Sequence, residues 1–140
     1  MTKLLTRLGD PAKSGVYRVS HERDIRNALS ADTHDVVAVS LGAGKDAMLA
    51  SIAGSLEFPD WFGANWDALE DCLTDLSWRP DKPRVILFLH AEKDDDLGVL
   101  LDVLSSVAEF WRGRGRGFFA VFIDPARRLG LPALYKESAV

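Results

Sequence analysis

Cysteine is almost missing from this chain of 140 residues. Cys72 stands alone, so no internal disulfide is possible and nothing points to an oxidising compartment. Long apolar runs are missing too. No stretch reaches the roughly 18 apolar residues that a membrane helix needs. Residues 1–15 lack the apolar core of a secretory leader, because Lys3, Arg7, Asp10 and Lys13 interrupt Leu4, Leu5 and Leu8. A cytoplasmic protein is therefore expected. The third absence is local: residues 46–78 contain no lysine or arginine. That span carries seven acids, Asp46, Glu57, Asp60, Asp67, Glu70, Asp71 and Asp75. The formal net charge of −4 hides this asymmetry, since the other fourteen acids face all 17 bases. A focused negative surface calls for a positive partner and disfavours nucleic acid, whose phosphates it would repel.

What the chain does have is enough apolar material for a core, with hydrophobic residues at 47%. The length fits one domain spanning 1–140. Strands are expected at 16–19, 36–41, 84–89 and 118–123, where β-branched and apolar residues cluster. Helices are expected at 21–30, 45–56, about 64–76 and 97–112 from apolar residues at helical spacing. Ser20 is the expected cap of the first of these helices. The helix at 45–56 ends before Phe58-Pro59, because the residue preceding a proline is pushed out of the α region. The order β-α-β-α-α-β-α-β predicts an α/β fold: a small, mostly parallel sheet of three to four strands flanked by helices. Residues 124–140, with Pro125 and Pro132, read as a tail or cover segment.

The segment from Leu56 to Trp78 carries the most information. Trp66, Leu69, Cys72, Leu73 and Leu76 recur at three- and four-residue steps and form a core stripe. Asp67, Asp71 and Thr74 share another face, with Glu70 and Asp75 beside it. Asp67 suits the positive end of the helix dipole, whereas Asp71 and Asp75 oppose the negative end. Like charges four residues apart each cost roughly 0.2–0.5 kcal/mol, and no base within the helix offsets them. A helix shaped only for stability would mix its signs, so the row is read as a binding face. Trp61 and Phe62, just before the helix, are equally readable as interface anchors or as core.

Several other patterns carry less. Gly42-Ala43-Gly44-Lys45 lies between a strand and a helix, as a phosphate loop would, but it is too short and Asp46 replaces the hydroxyl such a loop needs. It reads as a tight turn. His90, Glu92, Asp94, Asp95 and Asp96 lack the alternating ligands and glycine of a calcium loop, and the three histidines show no zinc spacing. No metal or cofactor is expected. Asp67 and Asp71 could form an acid–base pair, but no nucleophile or cofactor motif accompanies them, so the chain is not expected to be an enzyme. Cys72 reads as a small buried apolar residue, and Arg112 to Arg116 as a helix C-terminus with favourable dipole interactions.

The run Phe58-Pro59-x-Trp61-Phe62-Gly63-x-Asn65-x-Asp67-Ala68-Leu69-x-Asp71-Cys72-Leu73-Thr74 resembles the signature of the barstar family, intracellular inhibitors of barnase-type ribonucleases. The resemblance spans about 36–123. It implies a barstar-like core there, with a strand–helix extension at 15–35 and the tail at 124–140. It implies that Asp71 takes the place of a substrate phosphate in the ribonuclease active site. Asp67 would pair with a partner arginine, Trp61 would cover the partner's catalytic region, and Asn65 and Thr74 would hydrogen-bond across the interface. Three positions depart from the pattern: Glu70 and Leu76 replace tryptophans, and Asp75 replaces glycine. The contact of the tryptophan that Leu76 replaces is either absent or moved to Trp78. The last helix also has Glu109 followed by Arg112, Arg114 and Arg116 where barstar carries acids. The expected function is occlusion of a basic extracellular-type ribonuclease or toxin in a 1:1 complex of monomers, through Trp61, Asn65, Asp67, Glu70, Asp71, Thr74 and Asp75. No membrane and no nucleic acid is expected as a direct partner. The alternative is a module that binds another basic protein without inhibiting it.

Overall fold

The computed structural model describes residues 2–135, with side chains described from residue 4 onward; the part of the expected tail at 136–140 lies outside it. Ten elements follow one another. They are α1 (Thr2–Leu8), a 3-10 turn (Pro11–Lys13), β1 (Gly15–Val19), α2 (Glu22–Ala28), β2 (Asp35–Ser40), α3 (Lys45–Ser55), α4 (Trp66–Leu73), β3 (Arg84–Leu89), α5 (Asp95–Gly113) and β4 (Phe118–Ile123). The four strands form one sheet in the order β1-β4-β3-β2, and every pairing is parallel. The expected α/β architecture is therefore present.

The two central strands explain the sequence pattern. β3 and β4 are buried along almost their whole length and, apart from Arg84 at the start of β3, read as apolar runs, because helices cover both faces of the sheet. On one face Val37, Val39, Ile86, Phe88, Ala120 and Phe122 meet Met48, Leu49 and Ile52 of α3, Leu69 and Leu73 of α4, and Leu100, Leu104 and Val107 of α5. Phe88 and Phe122 stack there with ring centroids 4.6 Å apart. On the other face Val19, Val85, Leu87, Phe119 and Val121 pack against Leu4 and Leu8 of α1, Ile25 of α2 and Leu134 of the C-terminal segment. The sequence pattern does not predict α1: Leu4 and Leu8 lie four residues apart and are fully buried, but seven residues are too few to show a period.

The C-terminal segment covers an edge. Arg18 N–H donates to the Pro132 carbonyl at 2.9 Å and Leu134 N–H to the Arg18 carbonyl at 3.0 Å, so the open side of β1 is paired. Two expectations need correction. Ser20 does not cap α2: the cap position is His21, without a side-chain bond, because the Ser20 hydroxyl instead accepts from Arg18 Nη2 at 3.0 Å. And α4 is shorter than 64–76, for reasons that belong to the site.

Candidate functional site

The approach to α4 is set by aromatic packing. Phe58 meets Phe62 edge-on at 5.0 Å and Trp78 at 5.9 Å. Ala64 then takes a left-handed conformation, with φ at 51°, and delivers Asn65 to the cap position. Asn65 Oδ1 accepts from Ala68 N–H at 2.8 Å, which starts the helix at Trp66 rather than at 64. At the other end Thr74 Oγ1 donates back to the Glu70 carbonyl at 2.8 Å, and Leu76 is again left-handed, with φ at 52°. The chain cannot stay helical through Leu76, so the helix closes at Leu73. Trp111 Nε1–H of α5 donates to the Leu73 carbonyl at 2.9 Å, satisfying one of the carbonyls left over at that end.

Leu69, Cys72, Leu73 and Leu76 are buried and fasten one side of this segment to the core. Trp66 is half-buried: it packs against the core at the margin of the expected stripe and also lines the groove described next. Burial pushes the Cys72 thiol above its ordinary range, and the neighbouring Asp71 and Asp75 charges add to the shift. A buried thiol kept protonated in this way packs as a small apolar side chain.

The four acids lie on the other side. Asp67, Glu70, Asp71 and Asp75 are exposed, and among the described residues none of them takes part in an ion pair. They do not all border the same groove. Asp67 and Asp71 share a groove of about 550 Å3 with Lys45, Asn65, Trp66 and Ala68. Asp75 borders a separate groove of about 240 Å3, together with Leu76, Arg79, Trp111 and Arg116. Glu70 lines neither. Asn65 remains exposed but spends its Oδ1 on the cap, and its Nδ2 donates to the Gly63 carbonyl at 3.3 Å. Thr74 likewise spends its proton within the helix, leaving oxygen lone pairs for a partner.

Trp61 is 62% exposed, the most exposed of the large apolar side chains among the described residues. Its ring stands edge-on against Trp78 at 6.4 Å, and Trp78 in turn donates its Nε1–H to the Leu56 carbonyl at 2.9 Å. The ambiguity between the two aromatics resolves on this packing: Phe62 joins the core margin and Trp61 faces solvent.

An ion cluster that the sequence did not reveal ties this segment to the sheet. Asp35, at the start of β2, receives Arg79 at 2.8 and 3.0 Å and Arg84 at 2.9 Å. Arg79 also reaches Glu57 at 2.9 Å. Residues 57 and 79 bracket the segment, so one guanidinium holds both of its ends. Burial alone would raise the Asp35 carboxyl, but the hydrogen bonds from Arg79 and Arg84, with their charges, outweigh it and hold it below the usual range. The pairing partners lie 22 and 44 residues away from Arg79, which is why no local motif betrays them.

The minor patterns find local roles. The turn at Gly42 is tight, since a Cβ there would stand 2.5 Å from that of Ala47, and Gly44 has φ at 89°. Lys45 N–H donates to the Asp96 carboxylate at 3.1 Å, so the place a phosphate would take holds a carboxylate of the chain itself. Asp94 caps α5 through Leu97 N–H at 2.8 Å. Among the described residues no group of three His, Cys, Asp or Glu side chains is close enough to hold a metal ion. Arg114 lies over the Phe110 ring at 4.3 Å, Arg112 donates to the Ser14 carbonyl, and Arg116 pairs with Asp81 at 2.6 Å. No helix among the described residues is long and apolar enough to cross a membrane.

Comparison with known proteins agrees with this geometry at the level of the family. None of the curated proteins matches the chain. The family model described as barstar (barnase inhibitor) matches residues 31–123, from just before β2 to the end of β4. The match takes in the whole of α4, the Asp67 and Asp71 groove, the Asp75 groove and three of the four strands. With well over half of its length covered and its site segment inside the match, the chain belongs to the barstar family.

Proposed function

We propose that the protein binds and occludes the active site of a basic ribonuclease or related toxin, in a 1:1 complex, with α4 and the loop before it as the contact surface. The observation that carries this reading is the set of four carboxylates on one short helix and its C-terminal turn that, among the described residues, have no counter-ion inside the fold. A ribonuclease gathers Arg, Lys and His to stabilise a phosphoryl transition state, and a carboxylate row laid into that cleft meets complementary charge. Asp71, at the centre of the row and open to the larger groove, stands in for a phosphate. Asp67 takes a partner arginine, Trp61 covers the mouth of the cleft as a rigid aromatic plate, and Asn65 and Thr74 supply flanking hydrogen bonds. Glu70 and Asp75 widen the acidic surface. The protein acts as an inhibitor rather than as an enzyme, in the same compartment as the cytoplasmic RNA it protects.

One observation favours a target that differs from barnase. Leu76 is 2% exposed and so cannot serve in place of an interface tryptophan, while Trp78 is half-buried beneath Trp61. The second reading is therefore a module of the same geometry that recognises another basic protein.

Titration into an RNA-cleavage assay with a barnase-type ribonuclease separates the two. Stoichiometric inhibition that collapses in Asp71→Ala establishes the first reading. Absence of inhibition at micromolar excess favours the second, and the target is then a basic protein of another kind.

A further inference from the structure

The acidic surface ends on a lysine. Lys45 is the residue immediately before the base-free stretch of sequence, yet the fold returns it to the groove that Asp67 and Asp71 line. Among the described residues it is the only cation bordering that groove. Its side chain is exposed, and no described carboxylate lies within ion-pairing distance of its ammonium. An exposed lysine beside two carboxylates would ordinarily be read as their counter-ion, and here it is not engaged as one.

Its backbone, by contrast, is held. The Lys45 amide donates to Asp96 of α5, the turn before it is packed closely enough that Gly42 admits no side chain, and the residue opens α3. The stem of the side chain thus leaves a fixed point on the rim of the groove. A cation fixed beside a surface that receives cations weakens binding unless the partner matches it.

We propose that Lys45 is a specificity-determining contact, and that the partner carries a carboxylate on the rim of its basic cleft, opposite Lys45 and beside the groups that receive Asp67 and Asp71. This rests on the ribonuclease reading and narrows it. The target has a cleft of mixed charge, and a uniformly basic surface such as a bare nucleic-acid-binding face is discriminated against.

The test uses a barnase-type ribonuclease as the probe, with inhibition constants measured at low and moderate salt for the wild-type chain, Lys45→Ala, Lys45→Glu, Lys45→Arg and Asp71→Ala. Thermal melts of each confirm folding. Alanine replacement of each acid around the ribonuclease cleft completes a set of double-mutant cycles. The expected result is that Lys45→Ala weakens inhibition roughly threefold or more at low salt and Lys45→Glu about tenfold or more, with Lys45→Arg close to wild type. The Lys45→Ala effect disappears when one particular rim acid of the ribonuclease is removed. Unchanged or tighter inhibition by Lys45→Ala, with Asp71→Ala still releasing the enzyme, overturns the role of Lys45 and leaves the inhibitor reading intact. Failure of the wild-type chain to inhibit removes that reading, and this inference with it.

Discussion

The indole of Trp78 and the carbonyl of Leu56 are joined by a hydrogen bond of 2.9 Å between residues 22 apart in the chain. Everything proposed to touch a partner along α4 lies between them. The bond closes the segment into a loop with a fixed base, and Trp61 leans edge-on against the same indole. Trp78→Phe keeps most of the ring packing and removes the donor. It leaves the Leu56 carbonyl without that partner and is expected to lower stability by about 1–2 kcal/mol. Inhibition weakens as well, since the smaller ring gives Trp61 less support. Chemical denaturation, together with the fluorescence of the remaining tryptophans, reads both effects.

The exposed acids and the buried side of α4 are expected to respond differently to alanine. Asp71→Ala and Trp61→Ala change thermal stability little, within about 0.5 kcal/mol, because neither side chain is buried. Leu69→Ala, at a fully buried position, costs about 2–5 kcal/mol. Binding reverses that order per unit of stability lost. Removal of Asp71 weakens the complex by orders of magnitude if it enters a desolvated cleft, as the handful of dominant residues in such interfaces do. Parallel melts and inhibition titrations check the pattern; a stability loss at Asp71 that matches the binding loss would contradict it.

Asp35 gives the molecule a defined response to acid. Its folded carboxyl is held below the value it has in the unfolded chain. Its stabilising contribution is therefore complete above the ordinary carboxylate range, near about pH 4, and drains away as the pH falls through the lower folded value. Asp35→Asn leaves Arg84 buried without its carboxylate and frees one side of Arg79, with an expected cost of about 3 kcal/mol at neutral pH. In the variant the share of acid lability due to this carboxylate is gone, so the gap between the two proteins narrows as the pH is lowered below about 4. Urea midpoints, followed from neutral pH down into the acid range, measure it.

Ala64 holds a left-handed conformation, at an exposed position, immediately before the cap of α4. For an L-residue this costs roughly 1–2 kcal/mol, partly balanced by the greater freedom glycine has when unfolded. Ala64→Gly is expected to stabilise the protein by about 0.5–1 kcal/mol and to leave inhibition unchanged. A melting temperature that falls would mean that the alanine methyl contributes more than its backbone costs.

Much of the fold is legible in the amino-acid sequence. The apolar runs at 84–89 and 118–123 coincide with β3 and β4, since doubly covered strands need no alternation to be recognised. The helix beginning at Lys45 and the acidic face of α4 also stand where their spacing puts them. The boundaries of α4 do not, because left-handed Ala64 and Leu76 carry no sequence mark as glycine would. The grouping of the acids is equally hidden. Asp67, Asp71 and Thr74 share one face of a helical wheel with Asp75 beside it, yet the helix stops at Leu73 and Asp75 borders another groove, next to Trp111 of α5. Lys45 and the Asp35–Arg79–Glu57 cluster escape notice for a simpler reason. Their meaning depends on contacts across 22 or more residues, and a window along the chain does not see them.

Arg79 has one further consequence. By gripping Asp35 on the sheet and Glu57 at the far end of the segment, it makes residues 57–79 a cassette clipped shut at its base. The outward positions of that cassette, Asp67, Glu70, Asp71 and Asp75, are exposed, so the core beneath does not depend on their identity. Their chemistry can be rewritten letter by letter while the clasp and the sheet stay the same. A scaffold arranged in this way can change the chemistry of its exposed face without relearning how to fold.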